Sequence, residues 1–186
     1  HTELAWDFDD DSYTVSLSEA SLDKVVERVT SALDQVSGKA CIVVMPELVS
    51  HARIEAVVRR WLADQHHNGK PAIVFSGSTL VEEPGAGTRN QGMLIWDDDS
   101  GFATQYKLNA YTLEPSHRKD VDLAGSVAGV SYVERIATAP HRVMVVDIMG
   151  VGRLMMMICE DLSRELPWRA VLKGLGANLC FGPVVF

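Results

Sequence analysis

The sequence predicts a layered α/β domain, and three observations carry that expectation. Apolar runs of strand length alternate with segments of helical periodicity, the runs are continuous as in strands covered on both faces, and a hairpin interrupts the alternation near the middle. The most apolar run, residues 154–158, stops abruptly at Cys159-Glu160-Asp161. Bounded by Gly150 and Gly152 before it and Ser163 after it, this stretch reads as a buried central strand giving way to a helix.

Taken in order, residues 1–17 are acidic and weakly patterned, with a short strand expected over 13–17. Leu22, Val25, Val26, Val29, Leu33 and Val36 then recur at helical spacing behind the cap candidates Ser18 and Ser21, and Gly38 supplies a stop. Residues 41–45 form a continuous apolar run closing on Pro46-Glu47, the pattern of a strand buried on both faces and followed by a loop. Ile54, Val57, Val58, Trp61 and Leu62 mark a second amphipathic helix ending near His67-Asn68-Gly69, and residues 72–75 predict another buried strand.

Residues 77–91 carry charge and turn chemistry, including Pro84-Gly85-Ala86-Gly87, and predict a surface loop. Residues 92–96 and 102–106, joined through Asp97-Asp98-Asp99-Ser100-Gly101, predict a β-hairpin; the three aspartates lack the ligand spacing of a calcium loop. Residues 108–140 show little periodicity, and an irregular segment of that length predicts a lid. Two strands follow at 143–148 and 154–158, then a helix outlined by Leu166, Ala170, Val171 and Leu172 and stopped by Gly174 and Gly176, and a last strand begins at Asn178. No repeat or linker divides the chain, so residues 1–186 are expected to form a single domain.

Composition narrows the function classes. The net charge is −8, with Asp7, Asp9, Asp10 and Asp11 crowded near the start, and no basic stripe is present to offset phosphate repulsion, which argues against a nucleic-acid partner. No apolar run is long enough to span a bilayer, so no membrane partner is expected. Cys41, Cys159 and Cys180 lie in apolar contexts without paired spacing, pointing to a reducing compartment and a cytoplasmic location. His66-His67 closes a helix without a third ligand spaced to join it, and Met155, Met156 and Met157 suit core packing, so neither suggests a metal or a cofactor.

Three polar residues stand just beyond the ends of expected strands: Glu47, Lys107 and Cys159. Ligands of open α/β sheets gather outside the carboxyl ends of strands. A thiol is only slightly ionised at neutral pH and needs a base before it attacks a carbonyl, a role that suits Glu47. Lys107 can hold a developing oxyanion, assisted by the backbone N–H of Glu160 that follows the nucleophile. Each residue also has a plain explanation, Glu47 as a loop acid, Lys107 as a snorkelling cation at a strand edge and Cys159 as a small core hydrophobe.

Pro46-Glu47, Tyr106-Lys107-Leu108 and Ile158-Cys159-Glu160-Asp161-Leu162 with Pro167 shortly after, in that order, resemble the nitrilase superfamily of carbon–nitrogen hydrolases. The resemblance runs from about residue 22 to the end of the chain; Asn90-Gln91-Gly92 and Gly176-Ala177-Asn178 add to it, and the Ile-Cys-Glu-Asp-Leu form is similar to the glutaminase domains of glutamine-dependent NAD synthetases. It implies an αββα sandwich, here without its C-terminal portion. It also implies that Glu47 is the general base, Lys107 the lysine and Cys159 the nucleophile of a triad, with Glu114, seven residues after Lys107, as a second glutamate that orients the lysine or tunes the proton shuttle. The implied reaction opens a small-molecule amide or nitrile through a thioester and uses no metal and no organic cofactor. A sandwich left unfinished exposes apolar sheet, so a homo-oligomer is expected, with contacts around residues 164–173. Two other outcomes stay open: a catalytically inactive binding or assembly module, and an acyltransferase using the same thioester.

Overall fold

The computed structural model describes residues 4–96, 101–118, 123, 125–138, 142–164 and 173–184. In chain order the elements are β1 (Leu4–Asp9), β2 (Ser12–Leu17), α1 (Leu22–Val36), β3 (Cys41–Val44), α2 (Ala52–His67), β4 (Ala72–Glu83), β5 (Gly87–Ile95) and β6 (Phe102–Tyr106). They continue with β7 (Thr112–Leu113), β8 (Tyr132–Glu134), β9 (Val145–Ile148), β10 (Gly152–Met156), the short helix α3 (Glu160–Ser163) and β11 (Leu179–Phe181). The strands form three sheets, ordered β3-β4-β5-β6, β11-β10-β9 and β1-β2-β8-β7.

The first two sheets and the two long helices stack as layers. Leu22, Val25 and Leu33 of α1 and Ile54, Val58 and Leu62 of α2 bury their stripes against Ala72, Val74 and Ile95 on one face of the β3–β6 sheet. On its other face Phe75 and Leu94 meet Leu154, Met156 and Ile158 of the β9–β11 sheet. Because strand side chains alternate, Met155 and Met157 point the opposite way, where they pack with Leu108, Leu162 and Cys180. Both faces of β10 are thus covered, and residues 154–158 are all at 0% exposure, as a continuous apolar run requires. The order so far is helix, sheet, sheet; the helix expected at Leu166, Ala170, Val171 and Leu172 lies outside the described residues, as do Asp97, Asp98, Asp99 and Ser100.

Four expectations are corrected. The acidic N-terminal segment is a full antiparallel hairpin, β1 against β2, in which Leu4, Trp6 and Phe8 alternate inward with exposed Ala5, Asp7 and Asp9. Residues 77–91 do not form a surface loop: β4 and β5 run on as a hairpin, paired from Ser78 opposite Gly92 to Glu83 opposite Gly87. Arg89, whose charge reads as loop, is internal: it is 6% exposed, pairs with Glu83 and lies over the Tyr106 ring at 4.9 Å from its centroid. The segment after Lys107 is not wholly irregular, because β7 and β8 pair with each other and β8 runs parallel to β2. Finally, β3 is an edge strand, half-buried and with Val44 at 38% exposure, because its second neighbour is absent among the described residues.

The β1-β2-β8-β7 sheet has its own core, Tyr13, Val15, Leu48, Leu113, Leu123 and Tyr132, which places it beside the strand ends that carry Glu47 and Lys107. No helix among the described residues is long and apolar enough to cross a membrane. Leu154 is sealed between two sheets, so Leu154→Ala should cost about 2–5 kcal/mol, read as a lower urea midpoint with an unchanged slope.

Candidate active site

Glu47 leaves β3 through Pro46 and is held from two sides. Its N–H donates to the Val184 carbonyl at 3.4 Å, and the next amide, Leu48, donates to Ser78 Oγ at 3.2 Å. Room for this loop comes from an irregularity in β4 between Phe75 and Ser78: Gly77 sits at φ 79°, and a Cβ there would run into the Pro46 carbonyl. Lys107 leaves β6 with its N–H on the Asn90 carbonyl at 2.8 Å, which fixes the lysine against β5.

Cys159 follows β10 at a sharp turn. Its φ is 47° and its ψ −106°, a conformation rare outside glycine that costs about 1–3 kcal/mol and persists only when its surroundings enforce it. The enforcing contacts are visible. The Cys159 N–H donates to the Pro183 carbonyl at 2.9 Å, Asp161 N–H to Ile158 at 3.0 Å and Leu162 N–H to Cys159 at 2.9 Å. Gly182 allows the 179–184 segment to lie close against β10, since a Cβ there would meet Leu162 and the Met157 carbonyl.

Asp161 ties the turn of Cys159 to that of Lys107. It is 0% exposed, and its carboxylate accepts from the Leu108 N–H at 2.9 Å, the Asn109 N–H at 2.8 Å and Asn109 Nδ2 at 2.9 Å. Desolvation pushes its pKa up, opposed by those hydrogen bonds and the Lys107 charge. Without this strap, the turns after β6 and β10 would be joined only through the core.

The centre of the site is an ion triad. Lys107 Nζ donates to Glu47 Oε1 at 2.9 Å and contacts Glu134 Oε2 at 2.7 Å, with all three side chains at most 3% exposed. Asn90 Nδ2 bridges the two carboxylates, donating to Glu47 Oε1 at 2.9 Å and Glu134 Oε1 at 3.4 Å. The Tyr111 N–H donates to Glu134 Oε2 at 3.0 Å. Burial alone would push the Lys107 ammonium down, but Glu134 and Glu47 outweigh it and its pKa is raised. The Tyr13 phenol is also pushed up, first by burial and then by Glu134 and Glu47.

Glu47, Lys107 and Cys159 line one cavity of about 400 Å³, together with Glu134 and Glu160. Glu160 pairs its carboxylate with Arg164 Nε at 2.6 Å. Glu114 does not meet Lys107. Leu113 is buried in the hairpin core, the following side chain therefore faces away, and Glu114 Oε2 accepts from Ser131 Oγ at 2.6 Å. The second carboxylate is Glu134, which sequence reasoning missed. A signal was present in Tyr132-Val133-Glu134, where the charge shares a phase with buried Tyr132 and Val133 points outward at 46% exposure. The wall formed by Trp6, Tyr13 and Val15 was missed as well.

No protein-family model matches the chain, and no curated protein sequence matches it. Solved structures do. A cysteine-to-alanine mutant of a Nesterenkonia amidase from the nitrilase superfamily is 17% identical with a TM-score of 0.52, covering 90% of this chain and 60% of that one. Another form of the Nesterenkonia amidase, showing Michael addition of acrylamide at the active site cysteine, is 18% identical with a TM-score of 0.50, over 89% of this chain and 61% of that one. Glutamine-dependent NAD+ synthetase from Acinetobacter baumannii, in complex with ADP, is 13% identical with a TM-score of 0.50, over 90% of this chain and 30% of that one. The fold is that of the nitrilase superfamily. The chain spans about 60% of the length of the amidase structures it matches.

A lysine whose pKa is raised by folding stabilises the protein fully below its ordinary value of 10.5, and that contribution is lost as pH rises through the raised one. Tyr13, also raised, acts in the same direction. Urea-unfolding stability should therefore fall above about pH 10.5, and Glu134→Gln, which removes one of the two carboxylates, should make that fall smaller and complete it at lower pH. An identical alkaline profile in the variant would show that Lys107 does not depend on Glu134.

Proposed function

We propose that this chain is a carbon–nitrogen hydrolase that opens an amide, or a nitrile, through a thioester on Cys159. One observation carries the reading: a buried Glu47–Lys107 ion pair and a cysteine in an enforced strand-to-helix turn line the same small cavity. For an amide, Glu47 takes the Cys159 proton and the thiolate attacks the carbonyl carbon. The oxyanion of the tetrahedral intermediate meets Lys107, two of whose three N–H donors already point at carboxylates, and the backbone N–H of Glu160. Collapse breaks the C–N bond, Glu47 returns the proton to nitrogen, and ammonia or an amine departs. Water, deprotonated by Glu47, then attacks the thioester, and the carboxylic acid leaves with the thiol restored.

Glu134 and Asn90 act through Lys107 and Glu47, holding the pair in register. The strain at Cys159 fits the same reading, since conformations of this kind cluster where a side chain must be presented to a ligand.

Purified protein should release ammonia from simple amides, and Cys159→Ala should lower kcat/KM by at least about 10³-fold with little change in unfolding midpoint. The acyl-enzyme should appear in the mass spectrum of the wild type after brief exposure to substrate, and vanish with hydroxylamine. Iodoacetamide at pH 7.5 should label Cys159 ahead of Cys180, whose thiol burial pushes up to about 11. Turnover by Cys159→Ala would remove the nucleophile assignment.

A further inference from the structure

The N-terminal hairpin is the least expected wall of the cavity, and its chemistry restricts what the cavity can hold. β1 and β2 contribute Trp6, Tyr13 and Val15 to the lining, opposite Glu47, Lys107 and Cys159 on the strand ends. Leu48, Leu113 and Leu123 continue the same apolar surface. Trp6 is not a loose side chain. It stacks on Phe8 with ring centroids 6.1 Å apart and planes at 9°, and its ring lies 5.6 Å from that of Tyr13. Tyr13 is in register with Glu134 across the β2–β8 pair, and the Arg135 N–H donates to the Tyr13 carbonyl at 2.7 Å. The wall is therefore fixed to the same strand that supplies Glu134.

The charges around the cavity are already committed. Glu47 and Glu134 hold Lys107, Glu160 holds Arg164, and His117 Nδ1 is 2.8 Å from the Tyr111 hydroxyl with the two rings stacked. Among the described lining residues, Glu47, Glu134, Glu160, Lys107 and His117 thus each have a polar partner on the protein. A substrate bearing its own carboxylate would have to lose water there beside a cluster of two carboxylates around one ammonium, which is costly. A nonpolar ring, by contrast, gains dispersion and hydrophobic contact on Trp6 and the leucines. The volume, about 400 Å³, lies toward the small end of ligand cavities and suits one ring with a short chain.

We propose that the β1–β2 hairpin is a specificity wall and that the substrate is an amide with no carboxylate, whose acyl group carries a ring-sized nonpolar body packed on Trp6. This rests on the hydrolase reading above. It makes Trp6 a specificity-determining residue, distinct from the residues that carry the chemistry.

The test compares phenylacetamide, acetamide and L-glutamine on the wild type and on Trp6→Ala and Trp6→Phe. Wild type should favour phenylacetamide over both others in kcat/KM. Trp6→Ala should lower that preference over acetamide by about tenfold or more, and Trp6→Phe should restore most of it. Because each preference is a ratio of kcat/KM within one variant, a general loss of activity leaves it unchanged and only loss of the ring contact lowers it. Binding to Cys159→Ala, followed by calorimetry, gives a readout without turnover: phenylacetamide should bind and L-glutamine should not. A wild type that prefers L-glutamine or acetamide, or a preference for phenylacetamide that survives Trp6→Ala, overturns the proposal. Should no amide be hydrolysed by wild type, the hydrolase reading fails separately, and selective phenylacetamide binding lost in the Trp6→Ala/Cys159→Ala double variant would still establish the wall.

Discussion

Lys107 is surrounded by two carboxylates in a space that water scarcely reaches, and much of the structure is arranged so that this can happen. An ammonium taken from water loses several kcal/mol of hydration, and only close, well-directed anions return it. Glu47 and Glu134 do so at 2.9 and 2.7 Å, and they come from distant parts of the chain: one from the loop after β3, the other from β8. Two anions beside one cation leave a local excess of negative charge. Asn90 and the Tyr111 amide spread that excess by donating to the carboxylates. Removing any one partner exposes the others, so the cluster behaves as a unit.

This requirement explains why the third sheet exists where it does. β8 carries Glu134, but a three-residue strand cannot hold a buried carboxylate by itself. It pairs with β7 on one side and with β2 on the other, and β2 is anchored by β1. The aromatic cluster of Trp6, Phe8, Tyr13 and Tyr132 supplies the apolar surface that keeps this small sheet together. The same cluster faces the cavity, so the element that secures the second carboxylate also shapes the space beside the thiol.

The turns that present the polar groups are held by backbone contacts more than by side chains. Carbonyls of Pro183 and Val184 receive the amides of Cys159 and Glu47, so one short segment braces the cysteine and the glutamate together. Asp161 does the equivalent for Cys159 and Lys107 by collecting the amides that follow the lysine. Such an arrangement fixes relative positions without placing bulky groups in the cavity. Rigid supports of this kind are what a site needs if its geometry is to match a transition state.

The sequence alone determined the parts governed by local pattern. The stripes of α1 and α2, the buried runs of β4 and β10, and the placement of Glu47, Lys107 and Cys159 just past strand ends follow from periodicity and from where apolar runs stop, because burial on one or both faces writes itself into residues that are near in sequence. The tertiary structure decided what depends on partners far along the chain. Arg89 looks like loop charge until Glu83 and Tyr106 are beside it, and Glu134 looks like surface until Lys107, which precedes it by 27 residues, needs a second anion. Glu114, at a plausible spacing, was turned away by the alternation that buries Leu113. The acidic first hairpin gave little signal of its role, since Trp6 and Phe8 acquire one only when β2 finds β8; pairing across that distance is set by the whole core, and no window of neighbouring residues contains it.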